Sequence, residues 1–294
     1  MSFLSSDSRI GIIAGAGELP LQLIHSCVAR SQAFLVIVLL PFADPDRYRP
    51  YPHVAIPMGK LSKILENLTK NHVTHVTFAG HVQRLRGKQL LDLDWEGAQL
   101  LAKVTKEHLW SDNKVFSVVI DYFEKHHFTV LSTIQVMDEL SASAGLLSSS
   151  PILTESWADI HYGLHIANAI GQLDVGQAVV VQQGVTLAVE AAEGTDQMLE
   201  RAAILRLDGL GGVLVKLKKT NQESRIDLPT IGSNTIHAMA RSGLSGIVIE
   251  ADNTLVLSPA EVKECLNHYG LFGIAIRRDD FHLSPFDLQK IYGG

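Results

Sequence analysis

At 294 residues, 46% hydrophobic and 19% charged, the chain holds apolar material for about two ordinary domains, and too much of it for a disordered polymer. A net charge of −6 and a sequence pI near 6.1 exclude a broad basic field, so nucleic acid is not an expected partner.

Residues 9–14 form a short β-branched run, and Gly15-Ala16-Gly17 turns the chain into a helical pattern at 19–29 with Pro20 in its first turn. Residues 33–40 are continuously apolar, as in a strand buried on both faces. A short strand at 53–57, an amphipathic helix at 59–70 and a strand at 73–79 ending on Gly80-His81 follow. Helical patterns at 95–109 and 112–126 and a strand at 129–136 complete the series. This alternation predicts an α/β fold opening with a Rossmann-like, mostly parallel sheet. Ligands of such sheets sit at the carboxyl ends of the strands, which makes Gly15, Ala16, Gly17, Gly80 and His81 candidate binding residues. A dinucleotide is disfavoured: Pro20 stands where the third glycine belongs, and no acid closes the second strand. The glycine turn is either a backbone cradle for phosphate or ribose, or a plain strand-to-helix turn.

Residues 141–151 are rich in serine and read as a linker between domains at 1–140 and 152–294. A helix at 157–170 leads to strands at 177–182 and 185–190 across the hairpin turn Gln183-Gly184. Thr195 is placed to cap the helix at 197–205, and Asp196 suits its first turn. Glu193, beside Gly194 at a strand end, is a candidate ligand-facing carboxylate. The block from Lys216 to Gly232 gathers the cations Lys216, Lys219 and Arg225, the amide Gln222 and one carboxylate, Asp227, after an apolar run at 212–215. Such a loop suits phosphate chemistry; the plainer alternative is a solvated charged loop with Asp227 capping a helix. A helix at 231–241, a strand at 246–249, a turn at Asp252-Asn253, then a further strand, a helix and a last strand at 272–276 make a second α/β domain, with a polar, peripheral tail from Arg277. Arg84, Arg86 and Lys88 form another local basic cluster able to meet one phosphorylated ligand. Among thirteen histidines, His161 and His165 have the spacing of a helical metal pair, without a third ligand at zinc spacing.

Cys27 and Cys265 lie far apart in helical patterns, which supports neither a disulfide framework nor a zinc site and fits a cytoplasmic chain. The longest apolar run, at 33–41, is too short to span a bilayer, and residues 1–8 lack the pattern of a signal peptide. A lipid ligand is therefore expected to be met at a membrane surface or carried in a pocket.

In several blocks the chain resembles the two-domain UDP-2,3-diacylglucosamine pyrophosphatases of the lipid A pathway of Gram-negative bacteria. They are residues 12–20, Phe78-Ala79-Gly80-His81-Val82, residues 173–181, residues 187–196 and the Lys216 to Gly232 block; together they cover roughly 9–277. The resemblance implies hydrolysis of the substrate pyrophosphate to UMP and 2,3-diacylglucosamine 1-phosphate, with water attacking the phosphorus nearer the sugar. It implies Mg2+, with Mn2+ as a substitute, and a homodimer; with a lipid substrate, a peripheral position at the inner membrane is the accompanying expectation. The required aspartate of the family's Asp-Leu-Pro-Thr-Ile-Gly motif falls on Asp227. Lys216, Lys219, Gln222, Arg225 and Thr230 match positions expected to bind substrate, and Glu193 and Asp196 are further carboxylates for the metal beside Asp227. The substrate is expected to reach both domains, with 141–151 as a hinge and Gly15 and Gly80 letting backbone approach the ligand. The chain departs from the family at Ser111-Asp112-Asn113, where a second acid is usual, and at Thr220, where a proline is common. A non-catalytic nucleotide-sugar or lipid-binding protein is the alternative reading.

Overall fold

The structure is a computed structural model describing residues 8–82, 92–106, 112–220 and 222–293. The cluster Arg84, Arg86, Lys88 lies outside the described residues, as does the end of the helix expected to reach 109. By its contacts the chain divides into two compact units, Met1–Asp138 with Glu223–Asp227, and Glu139–Gln222 with Leu228–Gly294.

In the first unit five parallel strands are ordered β3-β2-β1-β4-β5: β1 Ile10–Ala14, β2 Phe34–Leu40, β3 His53–Pro57, β4 His75–Ala79 and β5 Thr129–Leu131. The central strands are almost wholly buried because helices cover both faces, which is why β1 and β2 are unbroken apolar runs. Helices α1 Leu19–Ala29, α2 Leu61–Lys70, α3 Trp95–Lys106 and α4 Asp112–Lys125 supply that cover. Ile64 and Leu68 of α2 and Ile120 and Phe123 of α4 join one core with Ile13, Ile37 and Val76. Strand order reverses beside β1, so Gly15 to Gly17 and Gly80-His81 stand at the topological switch point. The strand expected to reach 136 stops at Leu131. Ser132 accepts from the Gln135 N–H while the Gln135 side chain accepts from the Ser132 N–H, a capping box that starts the short helix α5 Thr133–Val136.

The second unit is built on a six-stranded sheet ordered β6-β13-β11-β9-β7-β8. Its parallel centre is β9 Val213–Lys216, β11 Gly246–Glu250 and β13 Phe272–Ile276; β7 Ala178–Gln182 and β8 Val185–Val189 form an antiparallel hairpin at one edge. Gln183 and Gly184 both have positive φ (52° and 75°), as the two-residue hairpin requires. On one face, α7 Thr195–Leu205, α8 Ser233–Arg241 and α9 Pro259–His268 bury Met198, Ile236, Met239 and Leu266. On the other, α6 Ser156–Gln172 buries Trp157, Ile160 and Leu164. A parallel pair, β10 Thr230–Ile231 and β12 Leu255–Val256, precedes α8 and α9 respectively.

Two expectations are corrected here. Residues 141–151 are not a free hinge. Ala142 is in the core, β6 Gly145–Leu146 pairs with β13, and the buried Ser148 hydroxyl accepts from the Gly273 N–H (3.0 Å). Backbone bonds to strand β13 thus tie this serine-rich stretch into the second unit. The tail is not peripheral either: Phe281, Leu288 and Tyr292, the last two on α10 Pro285–Tyr292, are buried against α6. Its polar residues hid an i, i+7, i+11 apolar stripe.

Candidate functional site

A cavity of about 300 Å³ opens at the carboxyl end of β9, lined by Glu193, Gly194, Thr195, Asp196, Lys216, Thr230 and Thr235. Four sequence-predicted site residues, Glu193, Asp196, Lys216 and Thr230, therefore meet around one space. Lys216 ends β9 and is only 7% exposed. Its Nζ donates to the Thr195 hydroxyl (3.1 Å) and to the Thr230 carbonyl (3.1 Å). Thr195 does not cap its helix: Gly194 holds that position with φ +84°, a conformation that favours glycine. The freed hydroxyl instead donates to the buried carboxylate of Glu190 (3.0 Å), whose other oxygen accepts from the Gln177 N–H (3.3 Å). The first turns of α7 and α8 both border the cavity, through Thr195 and Asp196 and through Thr235. Neither Gly194 nor Gly232 supplies a side-chain cap. Helix N-termini carry free N–H groups and the positive end of the helix dipole, so with the Lys216 ammonium the cavity is built for an anion such as phosphate. Glu193 points its charge elsewhere, to Arg201. Its own backbone N–H, and then Arg201, hold its carboxyl below the ordinary range.

The cationic block is not a solvated loop. The Leu217 N–H donates to the Gln177 carbonyl (2.9 Å), and the Lys218 N–H to the Glu250 carboxylate (3.1 Å). The Lys219 N–H donates to the buried Gln222 side chain (3.0 Å), and the Gln222 N–H donates back to the Lys219 carbonyl (3.0 Å). Gln222 thus shapes the loop, and Lys219 pairs with Asp174 (2.8 Å). Arg225 pairs with Glu223 and Glu124 within the first unit, and its pKa is raised, chiefly by the bond to Glu223. Asp227 is half-buried, and its N–H donates to the Glu223 carbonyl (2.9 Å). It caps no helix, since α8 starts at Ser233 behind Gly232; that alternative is removed. Glu223–Asp227 groups with the first unit, not with the 152–294 domain expected from the sequence.

The glycine turns need their glycines for one another. The Ala16 N–H donates to the His81 carbonyl and the His81 N–H to the Ala16 carbonyl, both at 2.8 Å. A Cβ at Gly15 would lie 2.6 Å from the His81 carbonyl oxygen, and one at Gly80, where φ is +87°, 2.4 Å from that of Ala16. Close packing of turn on turn accounts for both glycines, and the Ala16 and His81 N–H groups bond to the facing turn. Gly17 (φ +103°) has open space at its Cα.

Family models of the LpxI N-terminal domain and the LpxI C-terminal domain match residues 9–140 and 143–274. The chain belongs to the LpxI family. A curated relative, UDP-2,3-diacylglucosamine pyrophosphatase LpxI of Caulobacter vibrioides (strain ATCC 19089 / CIP 103742 / CB 15), is 40% identical over 274 residues, covering 91% of this chain and 97% of that protein. Among solved structures, CobK precorrin-6A reductase aligns over 92% of this chain and 88% of its own at 12% identity and a TM-score of 0.34, too slight a likeness to carry an argument.

The cavity offers carboxylate and hydroxyl oxygens and no sulfur or imidazole, a donor set that fits a hard divalent cation. Among the described residues no three His, Cys, Asp or Glu side chains gather as a metal site. Of the three expected metal carboxylates, Glu193 and Asp196 line this cavity, while Asp227 belongs to the first unit. Asp196, exposed at the cavity, is the carboxylate there best able to hold a cation alongside water and substrate oxygens. His161 and His165 do stack on α6, Nε2 to Nε2 3.1 Å, and burial followed by the neighbouring imidazole lowers the His161 pKa. Sequence reasoning missed Glu190 and Thr235, and misread Thr195 as a cap. Glu190 reads as a strand-end residue until β7 and β8 are paired, so only the fold reveals it.

Proposed function

We propose that this chain hydrolyses the pyrophosphate of UDP-2,3-diacylglucosamine to UMP and 2,3-diacylglucosamine 1-phosphate. The observation that carries the reading is the buried Lys216 ammonium between two helix N-termini, in a chain 40% identical across 91% of its length to a pyrophosphatase of that substrate. Water adds to the phosphorus nearer the sugar, the bond from that phosphorus to the bridging oxygen breaks, UMP leaves with the electron pair, and the proton of the water is lost. Negative charge grows on phosphoryl oxygens along this path, and fixed donors aimed at them lower the barrier. Lys216 and the N–H groups of α7 and α8 are such donors. Asp227 orients the attacking water or shares in holding a metal. Mg2+, or Mn2+ in its place, would neutralise the pyrophosphate when bound, with Asp196 as the carboxylate at the cavity to hold it and few other protein ligands.

Among the described residues no helix is long and apolar enough to cross a membrane. The two acyl chains of the proposed substrate would place its uptake at a membrane surface. A homodimer is the expected working form. The test is direct: purified protein with UDP-2,3-diacylglucosamine and Mg2+ should release UMP and the lipid 1-phosphate in equal amounts. With the water oxygen isotopically labelled, the label should appear in the lipid product. Binding without product would support the non-catalytic alternative.

A further inference from the structure

Glu250 closes β11 and is fully buried. A carboxylate there survives only with partners that satisfy both of its oxygens. One partner is Arg278, from the stretch after the last strand. Its Nε donates to one Glu250 oxygen (2.9 Å) and its Nη2 to the other (2.7 Å), the two-pronged geometry a guanidinium makes and an ammonium cannot. The second partner is the Lys218 N–H (3.1 Å). Arg278 Nη2 also donates to the Lys218 carbonyl (2.6 Å), so the pair grips both polar groups of one residue. Arg278 is itself held by Asn168 (Nη1 to Oδ1, 3.2 Å) and lies over the Phe281 ring. Lys218 is two residues beyond Lys216, where the chain leaves β9.

We infer that Glu250 and Arg278 are positioning residues for the hydrolytic site, fixing the exit of the chain from β9 so that Lys216 and the loop after it are aimed before substrate arrives. The inference rests on the pyrophosphatase reading. It adds to that reading two residues, one of them far along the chain in a segment whose sequence looks dispensable. A misplacement of about 1 Å in a site of this kind costs up to about 100-fold in rate. The clamp meets the exit segment through the Lys218 backbone, so its loss should act through geometry and not through charge at the cavity.

The decisive variant is Arg278→Ala. A cavity of about 310 Å³ already borders Arg278, which leaves room for a small guanidinium ion to take the place of the lost side chain. The variant should lose about 10- to 100-fold in kcat/KM per folded molecule. Millimolar guanidinium should restore a large part of that loss, while Arg278→Lys should stay impaired because it cannot fork. Hydrogen exchange should quicken at amides 217–219 and stay as in the wild type through β11 and β13. Glu250→Gln, which keeps volume and an acceptor, is the second variant should Arg278→Ala fold poorly; it should show the same pattern at smaller amplitude. Wild-type kcat and KM in Arg278→Ala, a loss that only tracks the unfolded fraction without guanidinium rescue, or unchanged exchange at 217–219 would each overturn the inference. Absence of UMP release by the wild type would instead sink the pyrophosphatase reading, and the exchange measurement would still judge the clamp.

Discussion

Replacing Lys216 by Met tests the anion site most directly. Methionine is similarly long and unbranched, so the change removes a charge and its donors with little change of volume. At about 4 Å from a phosphoryl oxygen, with an effective dielectric near 20, a unit charge is worth about 4 kcal/mol. Loss of a single fixed donor to a developing oxyanion costs about 2.7–4 kcal/mol in measured cases, or about 10²- to 10³-fold in kcat. The two figures agree, so a fall of at least about 100-fold is expected. The folding cost is smaller. The Thr230 carbonyl loses one donor, and Thr195 loses the cation but keeps its bond to Glu190. Unsatisfied buried groups of this kind cost about 1–3 kcal/mol, against a typical domain stability of about 5–15 kcal/mol. The variant should therefore stay folded, with a measurable drop in its denaturant midpoint. Initial rates of UMP release across a substrate range, alongside a urea melt, separate the two effects. Retention of more than about a third of wild-type kcat would refute the role assigned to Lys216; a raised KM with unchanged kcat would recast it as a ground-state contact only.

Asp227→Asn should abolish turnover while leaving substrate affinity within a few-fold, as judged by equilibrium binding of labelled substrate; a variant keeping more than about a tenth of wild-type kcat would remove Asp227 from the chemistry. Activity should vanish in excess EDTA and return with Mg2+ or Mn2+ but not through thiol-seeking metals, and full turnover after exhaustive chelation would count against a metal. Gly80→Ala should lower folding stability by about 2–4 kcal/mol, because a Cβ must adopt φ near +87° and would sit 2.4 Å from the Ala16 carbonyl oxygen. Unchanged stability with weakened substrate binding would show instead that the glycine serves the ligand.

Much of this architecture was legible in the sequence, for identifiable reasons. The strands β1, β2, β11 and β13 are buried on both faces, and burial writes itself as continuous apolar runs. Gln183-Gly184 fixed the hairpin because few residue pairs tolerate positive φ twice in succession. Lys216 and Thr230 were singled out through the motif that contains them, and both line the cavity. What was not legible depends on partners distant in sequence. Thr195 read as a cap because the rule for caps is local, whereas its hydroxyl is claimed by Glu190 across a loop and by Lys216 from another strand. The glycines at 15 and 80 advertised open backbone, but each is required by the carbonyl of the facing turn. The stretch at 141–151 has a linker's composition because β6 is a two-residue edge strand, too short to impose a pattern.

The electrostatics of the cavity argue that it is organised before any ligand binds. Lys216 and the starts of α7 and α8 are all positive, and such a set would repel itself if nothing opposed it. Glu190 opposes it: the buried carboxylate accepts from the Thr195 hydroxyl, and that hydroxyl accepts in turn from Lys216, so a chain of directed bonds links anion to cation without direct contact. Interposing a hydroxyl separates the ammonium from the Glu190 carboxylate while both stay tied to Thr195. The Thr230 carbonyl fixes the same ammonium from the other side, three residues beyond Asp227 along the chain. A lysine bonded on two sides, to the Thr195 hydroxyl and the Thr230 carbonyl, has little rotational freedom left to lose when phosphate arrives. That is the condition under which a fixed donor contributes most to a transition state, since neither side-chain ordering nor solvent rearrangement has to accompany the reaction.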